Sequence, residues 1–152
     1  MPTALAHLLD DARFGESLTQ HHLPAYLERQ RWYTSKGKAI SGITLTALPS
    51  DAADYGLWLA RIGFASGETE LLVLAVAEVP GRFAPDDQRV ICRTDRGALV
   101  DAMGEERFRE SLYTLMAGGL SWTDEHGTLR GEAGRVCRAQ PTYTRSHVPA
   151  QN

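Results

Sequence analysis

Apolar residues first recur at helical intervals: Leu5, Leu8, Leu9 and Ala12 fall at i, i+3, i+4 and i+7, with Thr3 placed to cap the helix and Gly15 to stop it. A second helix is expected to open at Pro24, whose fixed φ suits a first helical residue, and to run to about Arg31 with Leu23, Leu27 and Tyr26 turned inward. The period then changes to two. Ile43, Leu45 and Ala47 alternate with Thr44 and Thr46 over a strand from Ile40 to Ala47, and Trp58, Ala60, Ile62 and Phe64 share one face of a strand from Leu57. Leu71 to Val79 is almost continuously apolar, which predicts a central strand covered on both faces. The short polar Ala65–Glu70 between the last two strands makes them an antiparallel hairpin.

Two further short strands, Arg89–Arg93 and Ala98–Asp101, flank a turn at Thr94–Gly97. Phe108, Leu112, Leu115 and Met116 then mark a helix from about Glu105 that stops at Gly118-Gly119. Leu120–Trp122, Thr128–Gly131 and Gly134–Arg138 read as strand pieces whose sheet partners are not evident, so an apolar surface is expected beside the Glu105 helix. The pattern as a whole predicts an α+β fold, with helices packed on a mainly antiparallel sheet.

Composition narrows the function classes. Of 152 residues, 16 are Lys or Arg and 19 Asp or Glu, a formal charge of −3 that lacks the basic excess needed to grip a phosphate backbone, so nucleic acid is excluded as a principal partner. The longest apolar run is only strand length, so no membrane span is expected; the start has no basic n-region, and cytoplasmic residence is the default expectation. Cys92 and Cys137 are far apart with no CxxC, which predicts reduced structural thiols rather than a disulfide framework or a zinc site.

No P-loop, GxGxxG, HExxH, GxSxG or kinase-type HRD and DFG motif occurs, so no catalytic, cofactor-binding or metal residue is assigned. A hydrolase built on His21 or His22 with a carboxylate has no supporting spacing. The most unusual segment is RQRWYTSKGK, residues 29–38, where Arg29, Arg31, Lys36 and Lys38 surround Trp32 and Tyr33. Such a segment either binds an anion or an acidic partner, or anchors the helix exit in the core through its aromatic rings; the second reading predicts that Trp32 is buried.

The stretch LPAYLERQRWYTSKGKAI, residues 23–40, resembles the N-terminal cap of bacterial maltokinases, whose hallmark is similar to LPxFLxxQRWFxGKGR. ALVDAMGEERFRESLYTLM, residues 98–116, resembles the strand-then-helix segment that follows that cap's sheet, including in maltokinases fused to trehalose synthase. Thr34 and Ser35 depart from the hallmark before Lys36-Gly37, and Lys38 stands where arginine is common. The resemblance carries Arg31, Trp32, Tyr33, Lys36, Gly37 and Lys38 over as motif residues with a structural or partner-binding role.

The resemblance also implies two regions, a cap over residues 1–90 and the truncated start of a kinase N-lobe's intermediate region over 91–152. It further implies a non-catalytic piece of an ATP-dependent sugar kinase that makes maltose 1-phosphate from maltose, because the family's ATP-cradling segment and catalytic aspartates come after the matched region. ATP and magnesium would serve the parent kinase and no cofactor this segment; the partners would be the remaining kinase core and, in fusions, a trehalose synthase domain. Two alternatives stay open: an independent binding or regulatory module with a cap-like fold, and the cap of a glucosamine kinase.

Overall fold

The first helices run into one another. The computed structural model describes residues 4–135, beginning with α1 (Ala4–Asp10), after which Asp11 accepts from the N–H groups of Arg13 and Phe14 and so starts α2 (Ala12–Ser17). Gly15 does not stop the helix as expected; the chain continues through a five-residue π turn, Leu18–His22, into α3 (Leu23–Arg29). The π turn explains how Pro24 is tolerated without a fresh helix start. A proline has no N–H to give and its ring crowds the carbonyl four residues back, and the widened turn, in which the Leu23 N–H donates to the Leu18 carbonyl, relaxes that spacing.

Five antiparallel strands follow: β1 (Ile40–Ala47), β2 (Tyr55–Phe64), β3 (Thr69–Pro80), β4 (Val90–Arg93) and β5 (Gly97–Asp101). They line up in the order β1-β2-β3-β5-β4. The expected hairpin is present, with Trp58 opposite Leu74 and Ile62 opposite Glu70. Strands from either side of residue 90 share this one sheet, because β5 pairs with β3. The fold class is therefore α+β, as the periodicity predicts.

One sheet face carries the main core. Trp58, Ala60, Ile62, Leu74, Val76, Ile91 and Leu99 pack there with Leu5, Leu18, Leu23, Tyr26 and Leu27 from the helices. The opposite face is covered over only part of its length, by α4 (Glu106–Ala117): Phe108, fully buried, stands edge-on to Tyr55 at 5.5 Å and packs with Ala77, Ala98 and Val100.

This half-cover corrects the expectation that Leu71–Val79 is enclosed on both sides. β3 is central in strand order, yet Leu71 and Val73 are 62% and 59% exposed, because α4 stops short of them. The strand pieces after α4 are not left unpaired either. β6 (Ser121–Asp124) and β7 (Gly127–Arg130) pair with each other, Trp122 is buried, and Met116 and Leu120 stay exposed nearby. Gly134 and Arg135 are not in a strand, and the remainder of the expected Gly134–Arg138 strand, like Cys137, lies outside the described residues. Among the described residues no helix is long and apolar enough to cross a membrane.

Candidate functional site

The motif segment forms the joint between α3 and β1. α3 ends where Gln30 turns extended with its N–H on the Leu27 carbonyl, and the Gln30 side chain donates to the carbonyls of Tyr26 and Gln88. Arg29 reaches the Val90 carbonyl at 3.0 Å, so one of the four basic groups is used to tie the helix end to β4. A tight turn follows, closed by the Lys38 N–H on the Ser35 carbonyl, and Gly37 sits at φ 82°, a conformation that favours glycine.

Three carboxylates hold this turn. Glu28 accepts the Gly37 N–H at 3.2 Å, Glu70 accepts the Ser35 hydroxyl at 2.6 Å, and Glu68 pairs with the Lys38 ammonium at 3.2 Å. The Lys38 ammonium also lies 5.4 Å from the centre of the Phe64 ring. Glu28 stands within the motif stretch at a position the hallmark leaves open, and Glu68 and Glu70 lie outside it. The available signal is phase: Glu70 falls in register with Leu72, Leu74 and Val76, a carboxylate on the strand's inward face.

Of the two aromatic rings expected to anchor the helix exit, only one is buried. Trp32 is 48% exposed and Tyr33 only 3%, with the rings edge-to-face at 6.3 Å. The expectation that Trp32 is the buried anchor is thus overturned. Arg31 and Trp32 lie in a turn that the Tyr33 N–H closes on the Gln30 carbonyl, so Trp32 stays at its outer side and Tyr33 is the ring delivered into the core. Burial first, then the charges of Glu70 and Glu28, pushes the Tyr33 phenol above its ordinary pKa. Its hydroxyl is buried with no hydrogen-bond partner among the described residues.

An unpaired buried hydroxyl is a standing cost, so Tyr33→Phe should leave stability unchanged or raise it by about 1 kcal/mol. Urea denaturation followed by circular dichroism checks this. A loss exceeding about 1 kcal/mol would mean that the hydroxyl is bonded in solution.

Arg31 and Lys36 are exposed on the outside of the turn, and Lys36 forms no ion pair among the described residues. The outer surface therefore offers an indole face and cationic side chains. The inner surface does not fit a nucleotide phosphate: the Gly37 amide and the Lys38 ammonium are already bonded to carboxylates, and those carboxylates would repel an incoming anion.

Two other polar regions were candidates for chemistry. An open cleft of about 460 Å³ lies between α1–α2 and the β4–β5 turn, lined by His7, Asp11, Glu78, Arg93 and Arg96. Asp11 is committed to capping α2, and the largely buried Glu78 carboxylate faces Arg96 at 3.7 Å. Burial above all, with Glu78 adding to it, pushes the nearby Cys92 thiol up to about 12, which keeps it protonated and unreactive. The second region is a latch: the Tyr55 hydroxyl lies 2.6 Å from that of Ser111, which donates to Asp51 at 2.8 Å, while Arg107 pairs with Asp54 at 3.0 Å. It fastens α4 to the β1–β2 connection.

His21 and His22 lie exposed on the π turn, and no carboxylate pairs with either among the described residues. Among those residues no group of three or more His, Cys, Asp or Glu side chains could hold a metal ion. No protein-family model matches the chain, and no curated protein matches it.

Proposed function

We propose that this chain is the non-catalytic N-terminal cap of an ATP-dependent sugar kinase resembling maltokinase, a cytoplasmic enzyme that phosphorylates maltose at its anomeric hydroxyl. What supports the reading is how the motif positions are used. Of the residues that resemble the cap hallmark, Leu23 and Leu27 are buried under the sheet, Gln30 ties the helix end to Tyr26 and Gln88, Gly37 supplies the left-handed turn and Lys38 closes it on Glu68. The hallmark positions thus build a joint that sets how α3 meets β1. The hallmark places phenylalanine where Tyr33 stands, in keeping with a buried ring that has no use for its hydroxyl.

In this reading residues 1–90 are the cap and 91–152 begin the intermediate region of the kinase N-lobe. ATP and magnesium belong to the parent kinase, and the cap's partner is the kinase core, with a trehalose synthase domain attached in a fused parent. Glucosamine is the alternative sugar. A free-standing binding module is the second reading, favoured by the exposed Leu71 and Val73 on the part of the sheet face that α4 leaves bare.

The test is calorimetric titration of the 152-residue chain with magnesium-ATP and a coupled phosphorylation assay with maltose. Neither binding at physiological ATP nor turnover above the buffer blank is expected. Micromolar ATP affinity or measurable turnover would overturn the cap reading. The coding sequence after Asn152 separates it from the free-standing module: a phosphate-cradling segment and kinase core favour the cap, and an immediate stop the module.

A further inference from the structure

The uncovered part of the sheet has a definite shape. On the face that carries α4, the strand register places Thr46, Leu59 and Val73 in one row and Thr44, Arg61 and Leu71 in the next. The following rows, Leu57–Ala75 and Tyr55–Ala77, run under the α4 side of the same face. Three strands side by side span about 10 Å, the width of one α-helix, and α4 itself shows that this face accepts a helix.

Arg61 decides what fits there. It is exposed, lies directly between Thr44 and Leu71, and makes no hydrogen bond or ion pair with its side chain among the described residues. A second copy of the same face brought up around a two-fold axis would set two Arg61 guanidinium groups in one small apolar contact, with no carboxylate in these two rows to answer them. A lipid surface would meet two threonines and a single cation, too little apolar area and charge to hold it.

We infer that this half-face docks an amphipathic helix of a partner protein, whose apolar stripe sits on Leu59, Leu71 and Val73 and whose flanking carboxylate pairs with Arg61. The inference stands apart from the kinase reading, since it uses only the register, the exposure and the unanswered charge. Covering Leu71 and Val73 supplies the hydrophobic contribution, and the Arg61–carboxylate pair, partly desolvated by the helix, supplies orientation and selectivity.

The probes are two synthetic 18-residue helical peptides with leucines at i, i+3, i+4 and i+7, identical except that the flanking position is Glu in one and Lys in the other. They are titrated into the 152-residue chain and followed by amide chemical shifts. The Glu peptide should shift residues 57–63 and 69–75 and bind at least tenfold more tightly than the Lys peptide. Arg61→Glu should reverse that order, and the double variant Leu71→Ser, Val73→Ser should abolish both interactions. Because these side chains are exposed, the circular dichroism spectrum and melting temperature of each variant should match the parent's, which separates lost binding from lost folding. No binding to millimolar concentration, equal affinity for the two peptides, or shifts confined to other surfaces would overturn the inference. So would a dimer by light scattering that the double variant dissolves, or binding to phosphatidylcholine–phosphatidylglycerol vesicles that it removes.

Discussion

Trp58→Ala should cost about 3–5 kcal/mol, the range for deleting a fully buried large aromatic side chain. The residue is 2% exposed at the middle of β2, opposite Ala47 on one side and Leu74 on the other, in the cluster where Leu18, Leu23 and Leu27 meet the sheet. Its removal leaves a cavity that neither the paired strands nor the helices can collapse into without breaking backbone hydrogen bonds. A domain of this size has only about 5–15 kcal/mol of net stability, so the variant should be marginal at room temperature. Guanidinium denaturation by circular dichroism measures the effect, with Trp32→Ala as the matched comparison. Trp32 is half exposed and should lose no more than about 1 kcal/mol. Equal losses at the two tryptophans would contradict the assignment of which ring anchors the fold.

Gly97→Ala should be nearly as damaging, about 3 kcal/mol, although it adds one methyl group. Gly97 opposes Pro80 at the end of the β3–β5 ladder. A Cβ there would collide with the Val79 carbonyl oxygen and lie 2.7 Å from the Pro80 Cα. Both obstacles are backbone and cannot rotate away, so the ladder must part. Hydrogen exchange should show protection lost first along β4 and β5, with β1 and β2 little changed. Gly42→Ala is the control, since nothing lies within 4 Å of its added Cβ; it should be neutral or slightly stabilising, by about 0.5 kcal/mol. Unchanged stability in Gly97→Ala would mean that β5 does not approach β3 as closely as described.

The joint at residues 30–38 shows where a local pattern stops being informative. That the segment leaves a helix, turns at Gly37 and enters a strand follows from Pro24, the polar TSKGK and the alternation from Ile40, which come one after another along the chain. Its charge balance does not follow, because Glu68 and Glu70 come some thirty residues later and reach the loop only through the β2–β3 hairpin. Four basic side chains read as a patch along the chain. In space Arg29 serves the Val90 carbonyl and Lys38 serves Glu68, which leaves Arg31 and Lys36 outside.

The period of two along Ile40–Ala47 and Leu57–Phe64, and the i, i+4, i+7 spacing of Phe108, Leu112 and Leu115, by themselves determined β1, most of β2, α4 and the α+β class, while the run of α2 through Gly15 and the π turn into α3 was not in the pattern. Periodicity records which side of an element meets a core, and that information is local. The tertiary structure alone decided that β5 inserts beside β3 ahead of β4, that Tyr33 rather than Trp32 turns inward, and that α4 covers half a sheet face and leaves Arg61, Leu71 and Val73 open. Apolar residues on a covered row and on a bare one look alike in sequence. What separates Ala77 from Val73 is the place where α4, well downstream in the chain, comes to rest.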